Sequence, residues 1–353
     1  MLKVRDCILQ MREYHSPLDG STEDLRLDLN ESTTGCSPRV LAKMRSLDAK
    51  CLARYPSREQ GENLVAKFLR LQPSEVLLTN GADEAIDLLC RAYLDADDEL
   101  VIIVPAFAMY EIFAQGSAAK VVRVPAEPDL AFPAARIVQA ISPRTRMVII
   151  TNPNNPTGAV ARREDILKVL AAAPDAAVLL DEAYFDFCGQ SMIDQVGKIP
   201  NLFVARTFSK AYGLAGVRLG VLAGDATQLS ALRRACAPFN VNLFALECLA
   251  EALADQAFVD AYVQQVKATR EWLRGQLVSL GFKCWPSQTN FLLCDFAAQK
   301  EDLLEELRAR GISLRDRPDL KGCVRISIGT QAEMERVLAA LKQVLQKQKQ
   351  VAR

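Results

Sequence analysis

The chain has 353 residues, half of them apolar, so it is long enough to bury a sizeable core. It carries 43 Lys and Arg against 43 Asp and Glu, and its pI is about 6.6. This balance leaves no net field to attract nucleic acid or an anionic membrane, so any anion site must be local.

Histidine and cysteine usage excludes further classes of protein. Any Ser-His-Asp triad, Cys-His pair or multi-histidine zinc site would have to be built around a single histidine, His15, and we expect no metal. The ten cysteines form no CxxC pair and several lie in apolar runs, which indicates thiols in a reducing compartment. Residues 1–10 lack an apolar signal core, and no run approaches a membrane span. We therefore expect a cytoplasmic protein.

Strand-like apolar runs recur between amphipathic stretches from residue 76 onward. Several are apolar almost throughout, which is typical of strands covered by helices on both faces. Intervening stretches such as 82–94 and 162–172 have helical spacing. The predicted fold is α/β, with a mostly parallel seven-stranded sheet flanked by helices. The candidate strands are 76–79, 100–104, 121–124, 147–151, 177–181, 202–206 and 217–223.

After about residue 240 the pattern changes and predicts a second, smaller α+β domain. We assign 30–240 to the large domain, and 1–29 with 241–353 to the small domain and an N-terminal arm. The predicted elements of this part are helices at 243–254, 258–280 and 331–346 and strands at 290–295, 312–315 and 324–328.

Residues 207–218 read TFSKAYGLAGVR and place one lysine among hydroxyls and glycines after an apolar strand. Lys210 can form an imine with an aldehyde if burial and nearby positive charge lower the pKa of its amine. Thr207, Ser209 and Arg218 would then offer hydroxyls and a fixed charge to a phosphate. Taken alone, a solvated loop lysine is the more common explanation.

A carboxylate, Asp181, follows the apolar run 176–180 at the carboxyl end of a strand, where open α/β sheets bind ligands. Such a carboxylate can keep a pyridine nitrogen protonated. A magnesium-binding acidic strand would need a GxxxxGK[ST] loop, which the chain lacks. A helix N-cap is the other interpretation of Asp181, and Tyr184 can donate to a cofactor phenolate or simply pack.

Two polar turns join strands to the elements that follow them. Residues 152–158 read NPNNPTG, and the prolines stiffen a turn in which Asn155 can point a donor at a ring oxygen. A generic polar turn explains this run equally well. At 79–84 a strand passes into a helix whose first N–H groups favour a phosphate, although many helices begin this way. These N–H groups belong to Gly81, Ala82 and Asp83.

Residues 105–110 read PAFAMY and offer an aromatic face on which a planar ring can stack. Core packing is the expected role of Tyr110, and less so of Phe107. Tyr55 and Arg325 are single residues for which a surface turn and a strand edge are the simpler interpretations.

Seven motifs, in order along nearly the whole chain, resemble those of fold-type-I pyridoxal phosphate (PLP) aminotransferases, and most of all the histidinol-phosphate aminotransferase family. Weaker likenesses are the total length, APFNVN at 237–242 and LRD at 314–316. The motifs are Asn30-Glu31, Tyr55-Pro56, GADE at 81–84, NPNNPTG at 152–158, DEAY at 181–184, TFSK at 207–210 with Arg218, and Arg325.

The resemblance implies a PLP site in the large domain. Lys210 would be the Schiff-base lysine and proton carrier, and Asp181 would pair with the ring nitrogen. Asn155 and Tyr184 would bond the phenolic oxygen, with Phe107 stacked on the ring. The phosphate would be held by Gly81, Ala82, Asp83, Thr207, Ser209 and Arg218.

The same resemblance implies substrates and an assembly. Arg325, helped by Arg315, would bind the carboxylate of an amino or oxo acid, or the phosphate of histidinol phosphate. Asn30 and Tyr14 are further candidates for the substrate pocket. Tyr55 would reach the cofactor phosphate of a neighbouring subunit, so we predict a homodimer with shared active sites.

The implied reaction moves an amino group between L-histidinol phosphate and 2-oxoglutarate, in histidine biosynthesis. The chain departs from the family pattern at Phe107, where we expect a tyrosine, and around Tyr14, where the arm matches loosely. An aromatic amino acid aminotransferase or a threonine-phosphate decarboxylase are alternatives on the same scaffold. We expect no DNA-binding module, because the motifs begin by residue 30, and no dinucleotide site, because GxGxxG spacing is absent.

Overall fold

The computed structural model describes residues 2–11, 13 and 24–351. A seven-stranded and a five-stranded sheet organise these residues. The strands, in chain order, are β1 (Leu25–Leu27), β2 (Val76–Thr79), β3 (Glu99–Val104), β4 (Lys120–Pro125), β5 (Thr145–Thr151), β6 (Ala177–Asp181), β7 (Leu202–Thr207), β8 (Gly220–Gly224), β9 (Lys283–Cys284), β10 (Phe291–Asp295), β11 (Ile312–Asp316) and β12 (Cys323–Ser327).

Fourteen α-helices accompany these strands in the described ranges. They are α1 (Asp6–Leu9), α2 (Pro38–Arg45), α3 (Ala49–Leu52), α4 (Glu59–Leu69), α5 (Gly81–Tyr93), α6 (Met109–Gly116), α7 (Ala134–Ala140), α8 (Arg163–Ala172), α9 (Phe185–Cys188), α10 (Ala226–Ala235), α11 (Leu243–Ala254), α12 (Gln256–Ser279), α13 (Lys300–Arg308) and α14 (Gln331–Val351). None of them combines the length and apolar character that a membrane crossing requires.

The larger sheet has the order β2-β8-β7-β6-β5-β3-β4, and β8 is the one strand that runs opposite to the other six. Leu100 and Ile102 of β3 pack on the side of α5 and α6, whereas Val101 and Ile103 pack on the side of α7 and α8. Helices thus cover both faces, which is why the strands read as continuous apolar runs. The predicted α/β fold with a mostly parallel seven-stranded sheet is confirmed.

The smaller sheet has the order β1-β11-β12-β10-β9 and packs against α12, α13 and α14. Its three central strands match the predicted strands within two residues. The edge strands β1 and β9 were not predicted, because runs of three and two residues carry no readable period. The domain boundaries at 30–240, 1–29 and 241–353 stay a prediction.

The predicted strand at 217–223 is wrong at its start. Ala215–Val217 forms a short 3₁₀ turn, Arg218 has a left-handed φ of 59°, and β8 begins only at Gly220. The reason is a close approach of two backbones, since a Cβ at Gly220 would lie 2.5 Å from the carbonyl carbon of Gly81. This approach brings Arg218 to the start of α5.

Candidate active site

The predicted site residues of the larger sheet lie along one edge of it. Asn155 follows β5, Asp181 ends β6 and Lys210 follows β7, and these three parallel strands are neighbours. Carboxyl ends of parallel strands share an edge, where ligands of such sheets bind. Arg325 of β12 reaches Asn155, so the smaller sheet closes the site from the other side.

Lys210 is held by the main chain of the segment that follows β1. Its Nζ donates to the Leu29 carbonyl oxygen at 2.9 Å. Burial, and after it the positive charge of Arg325, lowers the pKa of Lys210 to about 8, while the carboxylates of Glu31 and Asp83 act in the opposite sense. An amine with this pKa is partly neutral near physiological pH, and the neutral form is the nucleophile.

Asp181 is a buried carboxylate with two hydrogen-bond donors. Asp181 is the last residue of β6 and only 4% exposed. Oδ2 accepts from Tyr110 Oη at 2.6 Å and Oδ1 accepts from the Ala183 amide at 2.9 Å. Burial raises the pKa of Asp181, and the hydrogen bond from Tyr110 opposes that rise. The carboxylate is positioned by fixed donors.

Tyr184 receives two side-chain amides. Asn30 Nδ2 donates to Tyr184 Oη at 2.9 Å, and Asn155 Nδ2 donates to the same oxygen at 3.3 Å. Asn30 has a left-handed φ of 57° and its Oδ1 accepts from Ser327 Oγ at 3.0 Å. The amides therefore fix the phenol between the end of β6 and the smaller sheet.

Two arginines face each other on the smaller sheet. Arg315 of β11 and Arg325 of β12 are directly paired across the antiparallel ladder, so their side chains leave the same face. Arg325 is 6% exposed, donates to Asn155 Oδ1 at 2.7 Å and donates to the Asp28 carbonyl oxygen. Arg325, Asn155 and Tyr184 thus form one hydrogen-bonded chain.

A second group of predicted residues forms a cradle, defined here as 81–83, Thr207, Ser209 and Arg218. Thr207 Oγ1 lies 2.9 Å from Ser209 Oγ, and Arg218 donates to Asp83 Oδ2 at 3.0 Å. Thr207 pairs with Gly220, whose backbone abuts Gly81, so the hydroxyls and the guanidinium meet the first turn of α5.

Gly81 is the residue on which the cradle depends. Its φ is 76°, and a Cβ there would lie 2.4 Å from Arg218 Nη2. Only glycine leaves room for the guanidinium against the helix start. The N–H groups of the first turn, with Ala82 between Gly81 and Asp83, join two hydroxyls and a guanidinium, and this donor set suits a phosphate.

The aromatic residues are divided between the site and the surface. Phe107 is half-buried and meets Tyr110 edge-on, with ring centroids 5.7 Å apart. Tyr55 is 82% exposed and stacks on Phe239 at 4.5 Å, and no hydrogen bond between Tyr55 and the cradle is found in the described part of the chain. Tyr14 lies outside the described residues.

Tyr110 is the site residue that the sequence did not reveal. It is buried, as the core interpretation predicts, but its hydroxyl bonds Asp181 and Thr151 Oγ1. The only signal in the sequence is a tyrosine where phenylalanine would fill the same core position. This signal does not distinguish a tyrosine of the site from a tyrosine that only fills the core.

A known protein family matches most of this chain. The model of the family "Aminotransferase class I and II" matches residues 22–341. The chain belongs to this family, as its motifs predict.

Within the family, the chain is similar to histidinol-phosphate aminotransferases. The enzyme of that name from Dehalococcoides mccartyi is 32% identical over 91% of this chain and 90% of its own length. The one from Bacillus subtilis is 30% identical over 98% of this chain and 100% of its own. The crystal structure of the Sinorhizobium meliloti histidinol-phosphate aminotransferase in complex with PLP has a TM-score of 0.85 at 26% identity, covering 92% of this chain and 91% of that one.

Proposed function

We propose that this chain is a PLP-dependent histidinol-phosphate aminotransferase, which exchanges an amino group between L-histidinol phosphate and 2-oxoglutarate. The observation that carries the proposal is the common edge of β5, β6 and β7, where an amine with a pKa of about 8, a buried carboxylate and a phosphate cradle meet. Relatives at 30–32% identity over nearly the full chain support the particular substrate.

The donors and acceptors of the site fit the polar groups of PLP. The cradle would hold the phosphate, and Asp181 would accept the ring N–H. Tyr184 Oη accepts both amides, so its own proton is directed elsewhere and can be given to the phenolic oxygen. Phe107 would stack on the ring. When bound, PLP supplies an electron-withdrawing ring that stabilises negative charge on the substrate carbon.

Lys210 would move the proton during the reaction. Because its pKa is about 8, both the neutral and the charged amine are populated near neutral pH. General acid–base catalysis works best when the pKa of the group lies near the working pH, so such an amine suits taking a proton from one carbon atom and returning it to another. The Leu29 carbonyl, at 2.9 Å, orients the amine by accepting one of its N–H bonds.

Arg325 and Arg315 would bind the anionic end of each substrate. A guanidinium offers a planar fork of donors that fits a phosphate and a carboxylate alike. The same pair can therefore serve histidinol phosphate in one half of the reaction and an oxo acid in the other. Asn30 would act through Tyr184, which it holds at 2.9 Å.

A homodimer is part of the proposal. Tyr55 and Phe239 are 82% and 52% exposed and stack on each other, which places a wide aromatic surface in water in the single chain. We expect a second copy to cover this surface and Tyr55 to reach its partner's cradle. A cytoplasmic location stays a prediction from the sequence.

Substrate competition tests the proposed function. With PLP and 2-oxoglutarate, we expect kcat/KM for L-histidinol phosphate to exceed that for L-histidinol by about 100-fold or more, because an analogue without the phosphate leaves the two arginines without an anion. We also expect L-histidinol phosphate to be preferred over L-phenylalanine, whose carboxylate these arginines can still bind. Glutamate formation is the readout, and the Lys210→Ala variant is the blank.

Two results would favour the alternatives. A preference for phenylalanine would indicate an aromatic amino acid aminotransferase. Release of carbon dioxide from O-phospho-L-threonine without glutamate formation would indicate the decarboxylase. The inability of the wild-type protein to bind PLP would end the proposal altogether.

A further inference from the structure

The hydroxyl of Tyr110 lies at the centre of a buried polar cluster. Tyr110 is 1% exposed and belongs to the first turns of α6, and its ring packs in the core between α5 and the larger sheet. Its Oη lies 2.6 Å from Asp181 Oδ2 and 2.8 Å from Thr151 Oγ1. A phenyl ring would fill the core without a hydroxyl, and a buried hydroxyl is costly unless it is bonded.

The direction of these hydrogen bonds follows from their chemistry. An ionised carboxylate can only accept, so Tyr110 must donate its single proton to Asp181. Thr151 must then donate to Tyr110 Oη. Thr151 and Asp181 are paired in register between β5 and β6, so the chain Thr151, Tyr110, Asp181 ties two strands to α6. Burial and the negative charge of Asp181 raise the pKa of Tyr110 well above 10, so the proton stays on the phenol.

The same side chain also supports Phe107. The rings of Tyr110 and Phe107 form a T-shaped pair with an interplanar angle of 87° and centroids 5.7 Å apart. Tyr110 therefore contacts both Asp181 and Phe107, the two residues that the proposed function places against the cofactor ring.

We propose that Tyr110 is a positioning residue of the cofactor site, which holds Asp181 as an oriented anion and packs against Phe107. The inference rests on the proposed pairing of Asp181 with the ring nitrogen. A donor on the carboxylate lowers its basicity, so the proton between the carboxylate and the ring stays on the ring. Tyr110 thereby helps to keep the ring cationic without touching it.

The Tyr110→Phe variant tests the inference, with Tyr93→Phe as its matched control. Tyr93 packs against the same core cluster, and its hydroxyl bonds only Gln228 Oε1 among the described contacts, at 2.7 Å. Two quantities are measured on each protein: the PLP dissociation constant of the apoenzyme, and the ¹⁵N chemical shift of PLP labelled at the ring nitrogen.

For Tyr110→Phe we expect PLP binding to weaken about 10-fold, because the carboxylate loses a charge-assisted hydrogen bond. We expect its ¹⁵N resonance to move towards that of unprotonated pyridine. Tyr93→Phe should match the wild type in both measurements. Thr151→Val should shift the resonance in the same direction by a smaller amount, since Tyr110 is a weaker donor without the Thr151 hydroxyl.

An unmoved ¹⁵N resonance with a dissociation constant within twofold of the wild-type value would overturn the inference. If Tyr110→Phe does not fold, Thr151→Val decides by the same ¹⁵N criterion. Failure of the proposed function looks different, because the wild type and Tyr93→Phe would then not bind PLP either.

Discussion

The Gly81→Ala substitution adds one methyl group to the cradle. The new Cβ would lie 2.4 Å from Arg218 Nη2 and 3.0 Å from Arg218 Cζ, and the backbone at this position has a φ of 76°. The substitution therefore has two separate effects. It strains the backbone, and it pushes the guanidinium away from the first turn of α5.

Each effect has a magnitude. A left-handed conformation costs an alanine about 1–2 kcal/mol of folding free energy. A displaced guanidinium loses a charge-assisted hydrogen bond to the phosphate, which is about 1.5–3 kcal/mol and corresponds to a roughly 10- to 100-fold weaker binding of PLP. The ion pair of Arg218 with Asp83 is half-exposed and adds little to stability.

Gly189→Ala separates the two effects. Gly189 has the same φ of 76°, and a Cβ there would meet nothing within 4 Å. Both variants should lose similar stability in urea titration of the apoenzyme, but only Gly81→Ala should lose affinity for PLP in a fluorescence titration. Pyridoxal without its phosphate should bind all three proteins equally.

A Gly81→Ala variant that binds PLP as tightly as the wild type, or that loses as much affinity for pyridoxal as for PLP, would contradict this role of the guanidinium. An equal loss of PLP affinity in Gly189→Ala would also contradict it, because backbone strain and not the guanidinium would then be responsible.

Further predictions concern the amine, the substrate and the assembly. Lys210→Ala should lose all detectable glutamate formation while keeping the wild-type circular dichroism spectrum. PLP should bind the apoenzyme faster as the pH rises, with a midpoint near pH 8 in stopped-flow absorbance, because the amine of Lys210 must be neutral to react. Arg325→Gln should move this midpoint to higher pH, because it removes a positive charge that lowers the pKa of Lys210. Arg325→Ala should raise KM for both histidinol phosphate and 2-oxoglutarate by about 10-fold or more in steady-state assays, and an effect on one substrate alone would contradict a shared anion site. Tyr55→Ala should weaken PLP binding, and the size of this loss should follow the fraction of protein that is dimeric, as measured by analytical ultracentrifugation. A wild-type protein that sediments as a monomer would refute the prediction.

Much of the site could be read from the sequence because its residues follow strands that are easy to recognise. Burial on both faces makes β5, β6 and β7 continuous apolar runs, so their ends locate Asn155, Asp181 and Lys210. Because the three strands are parallel, their carboxyl ends lie at the same edge of the sheet. The chemistry of each residue type then suggests its partner.

Other features depend on contacts between distant parts of the chain. The left-handed turn at Arg218 exists because β8 passes against the start of α5, which no local pattern records. The bond from Lys210 to the Leu29 carbonyl joins positions 181 residues apart. The role of Tyr110 lies in a hydroxyl whose partner, Asp181, is 71 residues away. Burial could be predicted here, but not the pairing.

The acceptor that orients Lys210 is a main-chain oxygen, so a side-chain substitution at its own position cannot remove this hydrogen bond. Any replacement of the Leu29 side chain leaves the carbonyl in place. Leu29 comes two residues after the end of β1, and β1 pairs with β11, so the position of this carbonyl is set by the smaller sheet. A displacement of the smaller sheet relative to the larger one would therefore change the distance between the amine and its acceptor, whereas a point substitution at position 29 would not.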